Sequence, residues 1–520
     1  MHITQLIFRA EQLRGNKPAV EFMGQKFTWS ETANRVRRMA GAFKALGLSR
    51  NDHIAILGLN SNLYFESLFS ITQIGARMVP LNIRWAAPEF VYSLTDSASK
   101  ALLFDKTFMP LVEKLREQDL PVKHYLYMGG SDDCPDWAQP LENLLQDAEP
   151  EADFVHGDDN LSGIFYTGGT TGFPKGVMID HVALFSSAVS IAACSPADEN
   201  CSVLHAAPMF HMADLATVFM FTVLGARHVI IPAFDPELVM NTINDAGVTD
   251  ALLVPAMMQM VFDHPNFDAA KLQNIDRILY GASPMPEGLL RRVMKSVDGL
   301  GMMQAYGQTE MAPIVTILLP DEHVLEGEKS KQLRSAGRAG YSVQIKIADE
   351  DGKQLATGEI GEICCTGPNA MLGYWNKPEQ TADTIKDGWV HTGDAGYLDE
   401  NGFLYIVDRV KDMIVTGGEN VYSAEVESVV STHPAVAQVA VVGIPHDEWG
   451  EAVHAIVVPA PGAEQDADAI IALCKEKIAG YKCPKSVSFR EEPLPLSGAG
   501  KVLKRELRAP YWEGRERQVN

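Results

Sequence analysis

The chain has 520 residues, 46% hydrophobic and 21% charged, which places it among folded proteins long enough for at least two cores. Its 44 Lys and Arg against 67 Asp and Glu give a net charge of −23, which excludes a nucleic-acid binder or a basic membrane-surface protein. The seven cysteines are scattered, apart from the adjacent Cys364 and Cys365. They form no CxxC pattern, so a reducing compartment is expected and a zinc site is not.

Along the chain, "MHITQLIFRAEQLRG" brings Arg9 and Glu11 in too early for the apolar core of a signal peptide. Ser30 is expected to cap a helix in which Val36, Met39, Ala40, Phe43 and Leu46 recur at three- and four-residue spacing, ending at Gly47. "HIAILGL" then reads as a buried strand, "LYFESLFSITQIGA" as a helix and "RMVPLN" as another strand. A strand "SGIFYT" and a helix "HVALFSSAV" flank a glycine-rich loop. Further units follow, with "HVIIPAF" as strand, "PELVMNTINDAG" as helix and "DALLVPA" as strand. Such repetition predicts layered α/β subdomains with parallel strands.

After about residue 335 the pattern changes to β-rich runs. "VQIKIADEDGKQLATGEIGEICCTG" turns about a DG pair, and "GYLDENGFLYIVDR" about Asn401-Gly402. From about residue 412 comes a smaller α+β unit: helix "SAEVESVVSTH", strands "QVAVVGI" and "EAVHAIVVP", helix "DADAIIALCKEKIAG" and strand "SVSFREE". The expected fold class is α/β, with a large N-terminal domain (1–409) of layered α/β subdomains plus a β-rich subdomain, and a small mobile α+β C-terminal domain (410–520). The most apolar run, "VFMFTVLGARHVII", is interrupted by Arg227 and His228 and is too short to span a bilayer. The last residues, "RQVN", are neither a peroxisomal address nor a prenylation box, so a cytoplasmic protein without a transmembrane segment is expected.

Chemistry is most concentrated in "YTGGTTGFPKGV", residues 166–177. Gly168, Gly169 and Gly172 let a backbone approach an anion, Thr167, Thr170 and Thr171 supply hydroxyls, and Lys175 adds a point charge suited to a phosphate. It is not a Walker loop, because Lys175 follows Pro174 and precedes Gly176.

Behind it, in order, lie "QAYGQTE" (304–310), "HTGD" (391–394), "DRVKDMIVTGGEN" (408–420) and "SGAGKVLKREL" (497–507). Together these five stretches resemble the adenylate-forming superfamily, in its acyl-CoA synthetase branch of fatty-acid and aryl-acid CoA ligases. The resemblance extends over nearly the whole chain. It implies an enzyme using ATP, Mg²⁺ and coenzyme A: a substrate carboxylate attacks the α-phosphorus of ATP, pyrophosphate leaves, and a thiol then displaces AMP from the acyl-adenylate. A loop that grips a departing pyrophosphate does not have to be a Walker loop. Gly168 stands where this family most often has serine.

By the same resemblance, Thr167, Gly168, Gly169, Thr170, Thr171, Gly172 and Lys175 would hold the phosphates, and Tyr306 would stack on adenine beside Gly281, Ala282, Ser283 and Gly307. Thr309 would donate to the α-phosphate or the acyl carboxylate, and Glu310 would hold Mg²⁺. Asp394 would accept from the ribose hydroxyls, with Arg409 as a further ribose or phosphate contact. Lys501 would bridge the α-phosphate and the attacking carboxylate. Lys411 falls at the family's hinge, where rotation would carry Lys501 away and bring Gly417, Gly418 and Glu419 to line a pantetheine tunnel, with Trp449 and Lys482 near the CoA nucleotide.

The resemblance also implies an acyl pocket beside the adenine site, which here falls among "HAAPMFHMADLA", "VPAMMQM", "YGAS" and "GQTEMAP", with His211, Met212, Met257, Tyr280, Gly281 and Met311 in its wall. No Arg or Lys in these segments can pair a second carboxylate, so an apolar monocarboxylic acid is expected, either medium- to long-chain fatty or aryl-alkanoic. The rivals are an acyl-AMP ligase delivering to a carrier protein, a P-loop NTPase and a non-catalytic nucleotide-binding protein. Oligomeric state is not legible in the residues; a homodimer is carried as an expectation.

Overall fold

The computed structural model describes residues 1–152, 161–167, 173–409, 412–417, 419–496 and 502–513, and the side chains of these except Arg409 and Asn420. Gly168, Gly169, Thr170, Thr171, Gly172, Lys411, Gly418 and Lys501 lie outside the described residues.

Two large sheets dominate. The nine-stranded sheet runs, by strand, 338–339, 314–318, 301–307, 277–281, 250–252, 202–205, 227–230, 18–22, 25–28. Its strands from 301–307 through to 18–22 are parallel, and antiparallel strands close both edges. The eight-stranded sheet runs 373–374, 175–180, 161–167, 77–80, 53–57, 101–104, 124–127, 139–140. Here too the strands from 161–167 onward are parallel. A third sheet holds 344–348, 361–366, 389–398, 385–386 and 404–409, and a fourth, built after residue 412, holds 419–421, 414–416, 450–459, 436–446 and 486–489. The fold is thus α/β, as expected.

Strand alternation decides the layering. Ile54 and Ile56 join a core shared with helices Gln5–Arg14, Trp29–Ala45 and Asn62–Gln73 and with Val20 and Ile230 of the nine-stranded sheet. Ala55 and Leu57 point the other way, into a core with Phe90 and Leu94. A layer of helices is therefore sandwiched between the two sheets. Among the described residues no helix is long and apolar enough to cross a membrane.

Several boundaries differ from the sequence reading. The helix expected to begin at Ser30 is capped by Thr28, whose hydroxyl accepts from Glu31 N while the Glu31 carboxylate accepts from Thr28 N. This reciprocal pairing satisfies two donors at once, which a lone serine does not. "DALLVPA" is strand only over Asp250–Leu252, because Pro255 opens a helix, Pro255–Phe262, at the position where a missing N–H is harmless. The strand in "HVIIPAF" is Arg227–Ile230. Both β-rich turns use one device: Asp349 Oδ1 accepts from the N–H of Asp351 and Lys353, and Asp399 Oδ1 from Asn401 and Phe403. Gly352 and Gly402 then take left-handed conformations at φ +78°.

Candidate active site

The glycine-rich loop is not followed by a helix. Thr167 ends the strand Leu161–Thr167 and pairs in register with Lys175, which begins an antiparallel strand, Lys175–Asp180. Helix His181–Cys194 starts only after that, capped by Asp180, whose carboxylate accepts from Ala183 N at 2.7 Å. The chain behind Lys175 therefore continues as strand, and no helix N-terminus opens at Lys175. The sequence reading missed the intervening strand because "VMID" is too short to separate from the helix behind it. The strand Lys175–Asp180 separates the loop from helix His181–Cys194, so that helix's dipole does not begin at the loop's end.

Lys175 is half-buried, and its ammonium lies 4.9 Å from the ring centroid of Tyr374. The hydroxyl of Tyr374 donates to Glu310 Oε1 at 2.8 Å. Backbone pairing holds the ring in this place: Gly373 and Tyr374 pair with Met178 and Val177, Trp375 N donates to Gly176 O, and Met371 N donates to Glu310 O. Tyr374 thus connects the loop lysine to the predicted metal ligand, and the motif reading passed over it. Burial, followed by the Glu310 carboxylate, pushes the Tyr374 phenol up, so it remains a proton donor.

Glu310 sits in a short turn, Thr309–Met311, directly after the strand Gly301–Gly307, with Ala312 in a left-handed conformation at φ +52°. Asn369 Nδ2 donates to Met311 O and Ile314 O, fixing the turn from behind. With Oε1 anchored by Tyr374 and Oε2 having no partner among the described residues, the Glu310 carboxylate is suited to a hard divalent cation.

Tyr306 and Asp394 meet directly, the tyrosine hydroxyl donating to Asp394 Oδ2 at 2.8 Å. The pairing crosses from the nine-stranded sheet to the third sheet, so the "QAYGQTE" and "HTGD" stretches are neighbours in space. Asp394 is nearly buried, and Thr392 Oγ1 accepts from its N–H. Gly281 and Gly307 have a backbone reason to be glycine: a Cβ would lie 2.1 Å from Ala305 O and 1.8 Å from Pro313 O respectively. Ala282, at φ +63°, and Ser283 follow at the carboxyl end of the parallel strand Arg277–Gly281. Ligands of open α/β sheets collect at that edge.

The predicted acyl-pocket residues divide by burial. Met212, Tyr280 and Met311 are inside the core, while His211 and Met257 are half-buried. His211 caps helix Met212–Leu224, its Nδ1 accepting from Ala213 N. The Tyr280 hydroxyl is 2.9 Å from His323 Nε2, and His323 Nδ1 donates to Leu319 O. A surface cleft of about 500 Å³ lined by Asp321, Glu328, Lys329, Arg338, Asn401 and Phe403 contains none of these residues.

Residues 7–375 match the AMP-binding enzyme family, and residues 425–501 match the C-terminal domain of AMP-binding enzymes. The chain belongs to the AMP-binding enzyme family. It is 37% identical over 504 residues to a feruloyl-CoA synthase of an Amycolatopsis species, covering 97% of this chain and 98% of that one. It is 36% identical over 507 residues to the fatty acid–[acyl-carrier-protein] ligase ScoC of Streptomyces coeruleorubidus, covering 97% and 95%. Among solved structures, the o-succinylbenzoate CoA synthetase of Bacillus subtilis in complex with its acyl-adenylate intermediate aligns with a TM-score of 0.84 at 31% identity, covering 96% and 97%. This AMP-binding enzyme is an AMP-forming acyl-CoA synthetase that joins an acid to CoA through an acyl-AMP.

In this AMP-binding enzyme the predicted CoA residues form two groups. Gly417, left-handed at φ +60°, donates its N–H to Trp449 O at 3.0 Å, and Glu419 is exposed on the neighbouring strand. The Trp449 indole stacks on His446 with centroids 4.1 Å apart, and Lys485 Nζ sits 5.2 Å from the Trp449 ring centroid. Lys482 is engaged elsewhere, its ammonium 2.8 Å from both oxygens of Glu425.

Proposed function

We propose that the enzyme activates an apolar monocarboxylic acid, either a medium- to long-chain fatty acid or an aryl-alkanoic acid such as a phenylpropenoate, and hands the acyl group to free CoA. The observation that supports the adenylation site is the Lys175–Tyr374–Glu310 arrangement, in which the Lys175 ammonium lies over the Tyr374 ring and the Tyr374 hydroxyl donates to the Glu310 carboxylate. In this reading the substrate carboxylate forms a bond to the α-phosphorus as the bond to the β-phosphate oxygen breaks, and pyrophosphate departs. A thiolate then attacks the acyl carbon and AMP leaves.

Glu310 would hold Mg²⁺, whose charge offsets that of the phosphates. Lys175 and the hydroxyls of Thr167, Thr170 and Thr171 would grip the β- and γ-phosphates, Tyr306 and Asp394 adenine and ribose, and Lys501 the reacting carboxylate. Rotation about Lys411 would then exchange Lys501 for Gly417, Gly418 and Trp449, with residues 1–409 and 410–520 as the two moving parts.

The absence of Arg and Lys from residues 205–216, 254–260, 280–283 and 307–313 supports a substrate with a single carboxylate. Delivery to a carrier protein is a second reading, favoured by the resemblance to a fatty acid–[acyl-carrier-protein] ligase. A panel of fatty, phenylpropenoic and dicarboxylic acids, scored for AMP and thioester formation with free CoA, tests both. Turnover of apolar monocarboxylates with free CoA is expected. Preferential use of dicarboxylates refutes the substrate reading. Pyrophosphate release without any CoA thioester refutes the acceptor.

A further inference from the structure

The sequence spacing led to no expectation of a metal–thiolate site, because Cys364 has no cysteine partner at CxxC distance. The fold supplies one by a different route. Glu362 and Cys364 are two apart on the strand Gly361–Thr366 and share a face, and His391, 27 residues further on, is the cross-strand partner of Cys364. We propose that Glu362, Cys364 and His391 form a binding site for a divalent transition-metal cation of the zinc class.

The geometry converges on one nitrogen. One ligand atom from each residue lies within 4.8 Å of the other two. His391 Nδ1 is 2.7 Å from Glu362 Oε2 and 3.5 Å from Cys364 Sγ. A tetrahedral zinc with bonds of about 2.3 Å to sulfur and about 2.0 Å to nitrogen separates those two atoms by about 3.5 Å. The sulfur and the imidazole are therefore already at coordination spacing. The carboxylate has to withdraw by about half an ångström, which its partial exposure allows.

The donor set also discriminates. Thiolate with imidazole selects zinc-class cations over Mg²⁺, which prefers oxygen alone, and three protein ligands leave the fourth position to water. Lys346, which pairs with Cys364 from the opposite strand, sends its ammonium 4.8 Å over the Trp389 ring and 3.1 Å from Gly352 O.

A metal takes the Cys364 sulfur as thiolate, so binding releases the thiol proton. The site also adjoins the nucleotide strand. Glu362 Oε1 accepts from Gly393 N at 3.1 Å, next to Asp394, and Thr392 Oγ1 donates to Ile363 O.

The test uses the full chain, stripped with a chelator and titrated with Co²⁺. A near-ultraviolet thiolate-to-cobalt absorption saturating at one equivalent, and displaced by Zn²⁺, is expected. Cys364→Ser should abolish that band, and Cys364→Ser and His391→Gln should each weaken Zn²⁺ by about tenfold or more in competition with a chromophoric chelator. Absence of the band in the wild-type chain, or a full band in Cys364→Ser, overturns the proposal. Should Cys364→Ser lose its circular-dichroism signature of folding, Glu362→Gln decides. It should keep the thiolate band but bind Zn²⁺ about tenfold more weakly, and unchanged affinity overturns the site.

Discussion

Tyr374 donates its phenolic proton to Glu310 Oε1 at 2.8 Å while the Lys175 ammonium rests over the face of the same ring. One side chain thus orients a carboxylate and positions a cation, and the two jobs can be separated by substitution. Tyr374→Phe keeps the aromatic face and removes only the hydrogen bond. A hydrogen bond to a charged acceptor contributes about 1.5 kcal/mol or more, so about a tenfold loss in pyrophosphate release is expected, with a higher Mg²⁺ requirement. Tyr374→Leu should lose more, because the contact between the ring and the Lys175 ammonium goes as well. Equal, unimpaired Mg²⁺ titrations for wild type and both variants would remove Tyr374 from the site.

Trp449 stacks on His446 and has the Lys485 ammonium 5.2 Å from its ring centroid, in the part of the chain proposed above to take CoA. Stacking of a base on an aromatic side chain is worth about 1–3 kcal/mol. Trp449→Ala should therefore raise the KM for CoA by about tenfold. The acid-dependent release of pyrophosphate, measured without CoA, should stay at the wild-type level. A loss confined to adenylation would place the indole on the wrong half-reaction.

Lys501 should behave in the opposite way. If it neutralises charge only while the adenylate forms, Lys501→Ala slows adenylation by about 10²–10³-fold. The variant should still convert synthetic acyl-AMP and CoA into acyl-CoA and AMP. Measuring the two half-reactions separately on the folded variant checks the division of labour. Parallel collapse of both would assign the lysine a role in each conformation.

The sequence made legible what is written over a few residues. Ile54 and Ile56 against Ala55 and Leu57 announce a strand buried on both faces, and the Asp351-Gly352 and Asn401-Gly402 pairs announce turns between β-rich runs, because both patterns are local. The Tyr306–Asp394 meeting was implied only through a family pattern, since the two are 88 residues apart on different sheets. Tyr374 was invisible: its neighbours in sequence carry no charge logic, and its role arises only when a two-residue strand pairs with Val177 and Met178. Gly281 and Gly307 were read for their closeness to nucleotide, yet each is also required where backbone meets backbone. The Glu362–Cys364–His391 cluster escaped for a related reason, since motif spacing registers ligands on one segment and not across a ladder.

His323 gives a pH dependence with a definite sign. Its Nδ1–H donates to Leu319 O, which leaves Nε2 to accept from the buried hydroxyl of Tyr280. Burial lowers its pKa from 6.5 to about 4, outweighing the opposing backbone hydrogen bond and Asp321. Between those values the unfolded chain binds a proton that the folded chain refuses, so stability falls as pH drops from about 6.5 towards 4 and is restored above it. At about 1.4 kcal/mol per pKa unit the loss amounts to about 3 kcal/mol by pH 4. His323→Gln retains a donor and an acceptor but cannot titrate. It should flatten this part of the profile while costing about 1–2 kcal/mol at pH 7.5 for imperfect replacement of the two hydrogen bonds. Denaturant midpoints taken at half-unit steps from pH 4 to 7.5 on both proteins provide the comparison. Parallel curves would mean that His323 accepts its proton in the folded state, and that the Tyr280 contact does not hold it neutral.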